Sequence, residues 1–487
     1  MTVQNKLTLV FGASGYVGGH LVPRLLAAGR PVRAVSRDAA SLDRPGWDTV
    51  ERVSADALRP ETLDATLAGV DTAYYLVHSM LAGGDFGRLD LEAAENFAAT
   101  AARAGVRKII YLGALMPAGT PSPHLASRKE TGDRLRAGPV PVVELRAGII
   151  VGPGSAAFEV IRDLVNTLPA MVTPRWVRAR TPPIALDNLL EYLVGLADSE
   201  APAGAIYDAA GPEVLSYEEL MRIFGEVVGR KPRILPVPVL SPMLSSFWLG
   251  LVTTVPTPVA RALIGGLAHD LPADPAPLRA LLPQRLLDYR EAVAAALEAE
   301  RLNAVAARWT EGALMYRNYR QDYAFYAKRA SGSAVSSAAP EEVWRIVSAI
   351  GGKNRYYALD LLWTVREIGD WMIGGPGFNR GRRDPAHLRV GDAVDSWQVI
   401  GLEPRRRLTL LFGMKAPGAG ILEFEVAPEA SGGTRVTATA YWHPQGALGL
   451  LYWYPLAPFH GLIFNRMTES IARRAEAGFE AVEARQA

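Results

Sequence analysis

The chain has 487 residues, of which 49% are hydrophobic and 21% are charged, and it contains no cysteine. This length suffices for about three domains of ordinary size. The absence of cysteine excludes disulfides, thiolate metal sites and a cysteine nucleophile. The 52 lysines and arginines nearly balance the 50 aspartates and glutamates, so the sequence carries no basic footprint for nucleic acid. We therefore expect a globular protein without a nucleic-acid partner.

Two uncharged stretches are long enough by count to be tested as membrane spans. The first, 234–260, contains five prolines, and the second, 436–465, contains three. Proline interrupts helical hydrogen bonding, so we expect neither stretch to form a membrane-spanning helix. The first residues also lack the cationic start and long apolar core of an export signal. These patterns favour a cytoplasmic protein, with peripheral membrane contact as the alternative.

Residues 1–150 alternate short strand-like runs with amphipathic helical segments, a pattern typical of a parallel sheet covered on both faces. The predicted strands are 7–11, 31–36, 72–77, 108–112, 142–145 and 205–208. Helices are predicted over 89–104 and 217–228. We predict a doubly wound parallel α/β domain over 1–230, followed by a proline-rich and helical connector over 231–333.

From residue 334 the pattern changes to an early helix, several strands with period-two alternation and a long terminal helix. The predicted strands are 394–400, 408–412, 421–426 and 434–442. The terminal helix carries apolar residues at four-residue intervals, namely Phe459, Ile463, Met467, Ile471, Ala475 and Phe479. Such a stripe is expected to close over one face of a sheet. The sequence therefore predicts a second, α+β domain over 334–487.

A glycine-rich turn follows the first strand and directly precedes the first helix. Gly12, Gly15 and Gly18 have the spacing that allows a tight turn, backbone approach to a pyrophosphate and close helix packing. The remaining candidate positions of the turn are Ser14, Tyr16 and Val17. The helix N-terminus adds N–H donors for phosphate. We predict nucleotide binding here, with an ordinary strand-to-helix turn as the alternative.

The second strand ends in Ser36 and Arg37. A site that prefers NAD usually has an acidic residue at this end, where it binds the ribose 2′-hydroxyl. A guanidinium instead suits the 2′-phosphate of NADP through charge-assisted hydrogen bonds. The sequence favours NADP(H), and because Asp38 follows Arg37 directly, NAD(H) stays the alternative.

Together these residues resemble the short-chain dehydrogenase/reductase superfamily, in its extended and atypical branches that include the NmrA-like proteins. The resemblance covers about residues 5–230. It implies that Asp56 and Ala57 contact the adenine and that Val77 and His78, after the fourth strand, contact the cofactor. Segment 146–153 is similar to the family's Arg-Pro-x-x-x-x-Gly-Pro segment near the nicotinamide.

The family's catalytic residues are substituted in this chain. The family uses a Tyr as general acid, a Lys four residues later and a Ser or Thr that binds the substrate oxygen. Alignment puts His124 at the Tyr position, Arg128 at the Lys position and Gly113-Ala114 at the Ser/Thr position. His124 as an imidazolium and Arg128 as a ribose or phosphate ligand are the catalytic candidates. The alternative is that His124 is a polar loop residue and Arg128 only anchors the cofactor.

Residues 334–484 resemble the helix-grip superfamily, which includes START domains and polyketide cyclases. The resemblance rests on Pro340–Trp344 opening the first helix, on the hairpin at 402–408 and on the terminal helix. It implies a cavity between sheet and helix that suits a small apolar ligand. Candidates to line it are Trp363, Trp371, Trp397, Trp442, Tyr452, Trp453 and Tyr454. Segment 379–383 contains three arginines and is a candidate for an acidic ligand group.

The two halves in this order are similar to a bacterial group of atypical short-chain dehydrogenase/reductase proteins with a C-terminal domain of unknown role. We predict an NADP(H)-binding oxidoreductase-like protein that acts on an apolar carbonyl or quinone-type compound. The alternatives are a non-catalytic NADPH-binding sensor or assembly protein and a lipid or quinone carrier. The seven histidines show no paired ligand spacing, so no metal site is expected.

Overall fold

The computed structural model describes residues 6–44, 46–77, 86–168, 170–237, 269–301, 327–373, 375, 388–429 and 432–486. The chain divides into two compact units, Met1–Arg308 and Trp309–Ala487. The predicted site residue His78 and the predicted segment 379–383 lie outside the described residues.

The first unit alternates strands and helices along most of its length. Its strands are β1 (Thr8–Phe11), β2 (Val32–Ser36), β3 (Glu51–Ser54), β4 (Thr72–Tyr75), β5 (Lys108–Ala114), β6 (Val142–Ala147), β7 (Ile150–Val151), β8 (Ala170–Pro174), β9 (Arg180–Thr181), β10 (Ile184–Ala185), β11 (Ile206–Ala209), β12 (Leu215–Ser216) and β13 (Arg233–Val237). Its helices are α1 (Tyr16–Ala27), α2 (Leu63–Leu67), α3 (Phe86–Arg103), α4 (Pro123–Arg136), α5 (Ala156–Thr167), α6 (Leu186–Asp198), α7 (Tyr217–Val227), α8 (Ala276–Leu281) and α9 (Tyr289–Arg301).

Within the described residues, seven parallel strands form the main sheet in the order β11-β6-β5-β4-β1-β2-β3. Adjacent residues of a strand face opposite cores. Tyr74 packs with Leu21 of α1 and Leu193 of α6, whereas Tyr75 packs with Phe97 of α3 on the other face. The doubly wound α/β class is therefore confirmed. The strand order reverses between β1 and β4, and ligands of such sheets bind at the carboxyl ends beside this reversal.

Helix α9 belongs to the first unit. Its buried residues include Val293 and Leu297, and the helix packs against α7, β7 and β10. The sequence analysis placed these residues in a connector, because an alanine-rich helix carries little apolar patterning. The structure corrects this assignment for α9, since small side chains let the helix lie close to its neighbours.

The second unit is an antiparallel sheet with helices, which confirms the predicted α+β class. Its strands are β14 (Lys328–Ser336), β15 (Ala393–Val394), β16 (Trp397–Glu403), β17 (Arg407–Phe412), β18 (Gly418–Pro428) and β19 (Thr434–Pro444). Its helices are α10 (Pro340–Ser348), α11 (Asp360–Met372), α12 (Gly446–Trp453) and α13 (Ala457–Gln486). The strand order is β14-β19-β18-β17-β16-β15. All adjacent strands in this sheet are antiparallel, and β15 to β19 lie side by side in chain order. Strand β14, the first of the unit, pairs with β19, the last.

Helix α13 packs along β14. Met467, Ile471 and Ala475 of the predicted stripe are buried, whereas Phe459 at its start is 52% exposed. A Cβ on Gly332 of β14 would lie 2.4 Å from the backbone N of Asn465, so a glycine here lets the helix approach the strand. The second unit therefore has a core between sheet and helix, and it begins before residue 334.

One helical stretch among the described residues, Gly446–Ala477, is long and apolar enough to cross a membrane by length and composition. Part of it is a core helix, because Met467 and Ile471 pack under the sheet. Its first part exposes Leu448 and Leu451. Length and composition alone do not separate a span from a core helix. The expected cytoplasmic location and peripheral membrane contact stay predictions.

Candidate functional site

Two glycines fix the shape of the turn between β1 and α1. Gly12 has φ +96°, a conformation that favours glycine. A Cβ on Gly12 would lie 2.9 Å from Cγ1 of Val77, and a Cβ on Gly18 would lie 2.4 Å from the carbonyl oxygen of Gly12. Neither position has room for a side chain. The turn therefore packs directly on β4 at one end and on α1 at the other.

The N-terminus of α1 faces the open side of this turn. Gly15 is exposed and is the N-cap residue, and among the described residues no side chain caps the helix there. Tyr16, Val17 and Gly18 form the first turn, which contains no acidic residue. First-turn N–H groups have no acceptor within a helix, and the helix dipole is positive at this end. The arrangement suits an anion such as a pyrophosphate.

The carboxyl end of β2 lies beside the turn. The Oγ atoms of Ser14 and Ser36 are 2.9 Å apart, and Ser41 Oγ donates to Ser36 Oγ at 3.0 Å. Arg44 Nη2 donates to the carbonyl oxygen of Ser14 at 2.8 Å, and its guanidinium carbon lies 5.2 Å from the ring centroid of Trp47. Burial lowers the pKa of Arg44. Its Nη1 is buried and has no hydrogen-bond partner among the described residues.

Arg44 is not among the residues that the sequence predicts for this site. It lies 30 residues from Ser14 along the chain, and nothing in its local pattern indicates the contact. Arg37 is where the sequence placed it, one residue past β2, with an exposed side chain. Ser54 Oγ donates to its carbonyl oxygen at 2.9 Å. Two arginines therefore lie near the end of β2: Arg37 follows the strand directly, and Arg44 reaches Ser14 beside it.

The carboxyl ends of β3 and β4 complete this edge of the sheet. Asp56 Oδ1 accepts the Leu58 N–H at 3.0 Å, and Asn96 Nδ2 donates to the carbonyl oxygen of Ala57 at 2.9 Å. These bonds fix the loop after β3. Val77 follows β4 and contacts the turn at Gly12. The structure thus brings the candidates on β1 to β4 to one edge of the sheet.

His124 and Arg128 lie one helical turn apart at the start of α4. Burial, and then the charge of Arg128, lower the pKa of His124 to about 4. The neutral imidazole therefore dominates at neutral pH. The lowered pKa disfavours an imidazolium acid at His124, and the catalytic roles of His124 and Arg128 stay predictions.

Arg128 is held by β5. Its Nη2 donates to the carbonyl oxygen of Leu112, and its guanidinium carbon lies 5.7 Å from the Tyr111 ring centroid. Tyr111 Oη in turn donates to the carbonyl oxygen of Arg128 at 2.8 Å. Tyr111, Tyr74 and Tyr75 are buried, and burial raises the pKa of each hydroxyl. These tyrosines are core residues and not the missing acid.

Comparison with known proteins agrees with a nucleotide site at this edge of the sheet. Residues 12–137 match a family described as NAD(P)H-binding. The N-terminal unit is an NAD(P)H-binding Rossmann domain. The chain is 26% identical over 238 residues to a ceramide reductase of Caulobacter vibrioides, covering 47% of this chain and 73% of the relative. The fold resembles that of Citrobacter sp. triphenylmethane reductase, solved in complex with NADP(H), at TM-score 0.50 and 21% identity over 60% of this chain and 100% of that chain.

The glycine turn of the Rossmann domain fits a dinucleotide. A Cβ at Gly12 would clash with Val77 and one at Gly18 with the carbonyl oxygen of Gly12, so both glycines preserve the shape of the turn. Nη1 of Arg44, which has no hydrogen-bond partner among the described residues, leaves a donor for a phosphate oxygen.

Residues 324–467 match a family described as a protein of unknown function (DUF2867). This match falls on the second unit and agrees with a separate C-terminal domain.

A buried carboxylate lies beside Gly113, one of the two residues at the predicted Ser/Thr position. Glu144 is 1% exposed and forms ion pairs with Arg136 and, at 2.9 Å, with Arg146 Nε. A Cβ on Gly113 or on Gly132 would lie 2.6 Å from a carboxylate oxygen of Glu144. With Glu144 in this position, residue 113 has no room for a hydroxyl side chain.

The second unit contains a cavity of about 470 Å³ with mostly apolar walls. Of the predicted aromatic residues, Trp363, Trp397, Trp442, Tyr452 and Trp453 line it. Trp371 instead lies 61% exposed on the surface, and Tyr454 is not in the wall. Among the residues the structure describes, no three His, Cys, Asp or Glu side chains cluster as metal ligands.

Proposed function

We propose that the Rossmann domain is an NADP(H)-dependent reductase of an apolar carbonyl or quinone-type acceptor. The observation that carries the proposal is the pair Arg37 and Arg44 beside the end of β2, where sites for NADP and NAD differ. Arg44 has a buried donor without a partner in the described part of the chain. The 26% identity to a ceramide reductase supports reductive chemistry.

The residues around the turn have separate roles in this proposal. The first turn of α1 binds the pyrophosphate, and Arg37 and Arg44 bind the 2′-phosphate. Asp56, whose Oδ1 accepts the Leu58 N–H, contacts the adenine through its second carboxylate oxygen. Val77 packs beside the cofactor at Gly12. Bound there in reduced form, the dinucleotide supplies a hydride.

The supply of a proton decides which acceptors suit the site. His124 is neutral at neutral pH, since burial and Arg128 lower its pKa to about 4. A reduced simple ketone is a strongly basic alkoxide and needs a general acid. A reduced quinone is a phenolate, which titrates near 10 as tyrosine does. Within the proposal we therefore favour a quinone-type acceptor over a simple ketone.

A second candidate is a non-catalytic NADPH-binding protein. Two observations favour it: the scarce imidazolium of His124 and the engagement of Arg128 by the Leu112 carbonyl oxygen. In this case the cofactor is a structural or regulatory ligand.

Calorimetric titration of the full chain with NADPH and NADH tests the cofactor site. Arg37→Ala is expected to weaken NADPH binding about ten-fold, the effect of losing one charge-assisted contact, and to leave NADH binding unchanged. Arg103→Ala is the matched control, because Arg103 is an exposed arginine of the same domain that pairs with Asp64. Equal weakening of both cofactors in Arg37→Ala would contradict the 2′-phosphate role.

Oxidation of NADPH in the presence of menadione or a long-chain aliphatic ketone tests turnover. We expect oxidation with menadione, and we expect His124→Ala to keep most of that rate. Tight NADPH binding without oxidation by either acceptor would favour the non-catalytic candidate. If the protein oxidised NADPH with the ketone and His124→Ala abolished that oxidation, His124 would be acting as a proton donor. This result would contradict the proposal that His124 is neutral in the reaction.

A further inference from the structure

Among the described residues, one arginine lies in the wall of the cavity of the second unit. Helix α11 places the guanidinium carbon of Arg366 4.8 Å from the ring centroid of Phe412 and 5.4 Å from that of Tyr452. One Nη2 hydrogen bond goes to Tyr452 Oη. All three residues line the cavity, so the cationic head lies among aromatic rings.

The carboxylates next to Arg366 on the helix are directed to other partners. Glu367 pairs with Arg355 Nη1 at 3.1 Å, and Asp370 accepts the backbone N–H of Lys415 at 2.6 Å. In the described part of the chain Arg366 has no ion pair, and its Nε is buried without a hydrogen-bond partner. Among the described residues the cavity lining contains neither Asp nor Glu. Arg366 therefore faces the cavity without a carboxylate partner in the described structure.

The described lining also contains a histidine, His460. Burial, and then the charge of Arg366, lower its pKa to about 4, so at neutral pH it adds hydrogen-bonding capacity and no charge. Its ring lies 4.2 Å from that of Trp453. The cavity thus combines one cation, one neutral imidazole and aromatic walls.

These features define the ligand chemistry. A guanidinium presents five donors, and a carboxylate can accept two of them in parallel. A neutral ligand would cover this half-buried guanidinium without supplying a negative charge and would leave the buried Nε unpaired, which is unfavourable. The cavity volume of about 470 Å³ lies within the usual range of about 300–1,000 Å³ for small-molecule sites, and the walls suit a hydrocarbon chain.

We propose that this cavity binds a single-chain amphiphile with an anionic head group, such as a long-chain carboxylate. The head group contacts Arg366, and the chain lies along the aromatic wall formed by Trp397, Trp442 and Trp453. The proposal rests on the second unit alone and stands apart from the reaction of the Rossmann domain.

Titration of the full chain with dodecanoate and with 1-dodecanol tests the proposal, with both probes kept below their aggregation limits. Four tryptophans line the cavity, so intrinsic fluorescence and calorimetry both report binding. Dodecanoate is expected to bind at least about ten-fold more tightly than dodecanol, from one charge-assisted pair. NADPH affinity, measured on the same samples, reports the Rossmann domain separately.

Variants distinguish a specific charge contact from general apolar binding. Arg366→Gln is expected to abolish the preference for dodecanoate, and Arg366→Lys to retain part of it. Arg473→Gln, at an exposed arginine of α13 that pairs with Glu469, is expected to keep the preference. Ala440→Trp introduces bulk in the cavity wall and should weaken both probes.

Three results would each overturn the proposal. The first is equal affinity of the wild-type protein for the two probes. The second is a dodecanoate preference that survives in Arg366→Gln, and the third is binding of both probes that is unchanged in Ala440→Trp. Melting curves of each variant establish that it is folded before binding is compared.

Discussion

Each unit contains a charged group in a largely apolar setting, and the two are stabilised differently. In the Rossmann domain, Glu144 is flanked by Arg136 and Arg146, and two glycines make room for its carboxylate. In the second unit, Arg366 lies among aromatic rings with a tyrosine hydroxyl as its hydrogen-bond partner. One charge is enclosed by opposite charges and the other lies against an open cavity.

This difference separates a structural charge from a binding charge. A buried ion that is paired on two sides holds its neighbours in place, and removing it leaves uncompensated charge behind. An ion whose donors face a cavity gains its compensation from a ligand. Glu144 therefore explains the local architecture around β5 and β6, whereas Arg366 indicates what the second unit binds.

The largest expected effect is on the stability of the Rossmann domain. Glu144→Ala leaves Arg136 and Arg146 facing each other beside a cavity, and we expect it to lower the free energy of unfolding by about 3 kcal/mol. Urea denaturation followed by far-UV circular dichroism measures this loss. Glu92→Gln is the control, because its pair with Arg88 is exposed and is expected to contribute less than about 1 kcal/mol. A similar loss in both variants would contradict the structural role of Glu144.

Much of the Rossmann domain could be predicted from sequence because its signals are local. The turn at Gly12 needs a positive φ and the close approach at Gly18 excludes a Cβ, so both positions show as glycines within seven residues of each other. The apolar residues of its strands and helices also recur with clear periods along the sequence. Arg44 was missed because its contact with Ser14 depends on the path of the chain between them, which has no regular pattern.

The second unit was harder to predict. Strand β14 consists mainly of small residues, with Gly332 beneath helix α13. It contains one β-branched residue, Val335, and none of the aromatic residues that also indicate a strand. Helix α11 was also missed, since it exposes Leu361, Val365 and Trp371 and shows no clear polar face. Arg366 lies on this helix, and its role depends on rings of Phe412 and Tyr452 that are distant in sequence.

A smaller effect is expected when the two neighbouring charges on α11 are neutralised one at a time. Glu367→Gln leaves Arg355 without its buried carboxylate and should lower the free energy of unfolding by about 2 kcal/mol. Arg366→Gln removes a charge that has no ion pair among the described residues and should change stability by less than about 1 kcal/mol. Chemical denaturation monitored by tryptophan fluorescence compares them directly. If Arg366→Gln proved the more destabilising variant, Arg366 would be a structural charge like Glu144.

The smallest expected effect is the pH dependence of the second unit through His460. Burial, and then the charge of Arg366, lower the folded-state pKa of His460 to about 4 from its ordinary 6.5. Between pH 6.5 and 4 the unfolded chain binds a proton at this residue that the folded chain does not, so stability falls as the pH falls through this window. His460→Gln should reduce that slope, and Arg366→Gln should raise the pKa of His460 by removing one of its two causes. An NMR titration of the imidazole measures the midpoint directly. A midpoint that does not move in Arg366→Gln would mean that the guanidinium charge is already compensated, which is the condition that Glu144 meets with its two arginines and that the cavity of the second unit leaves to a ligand.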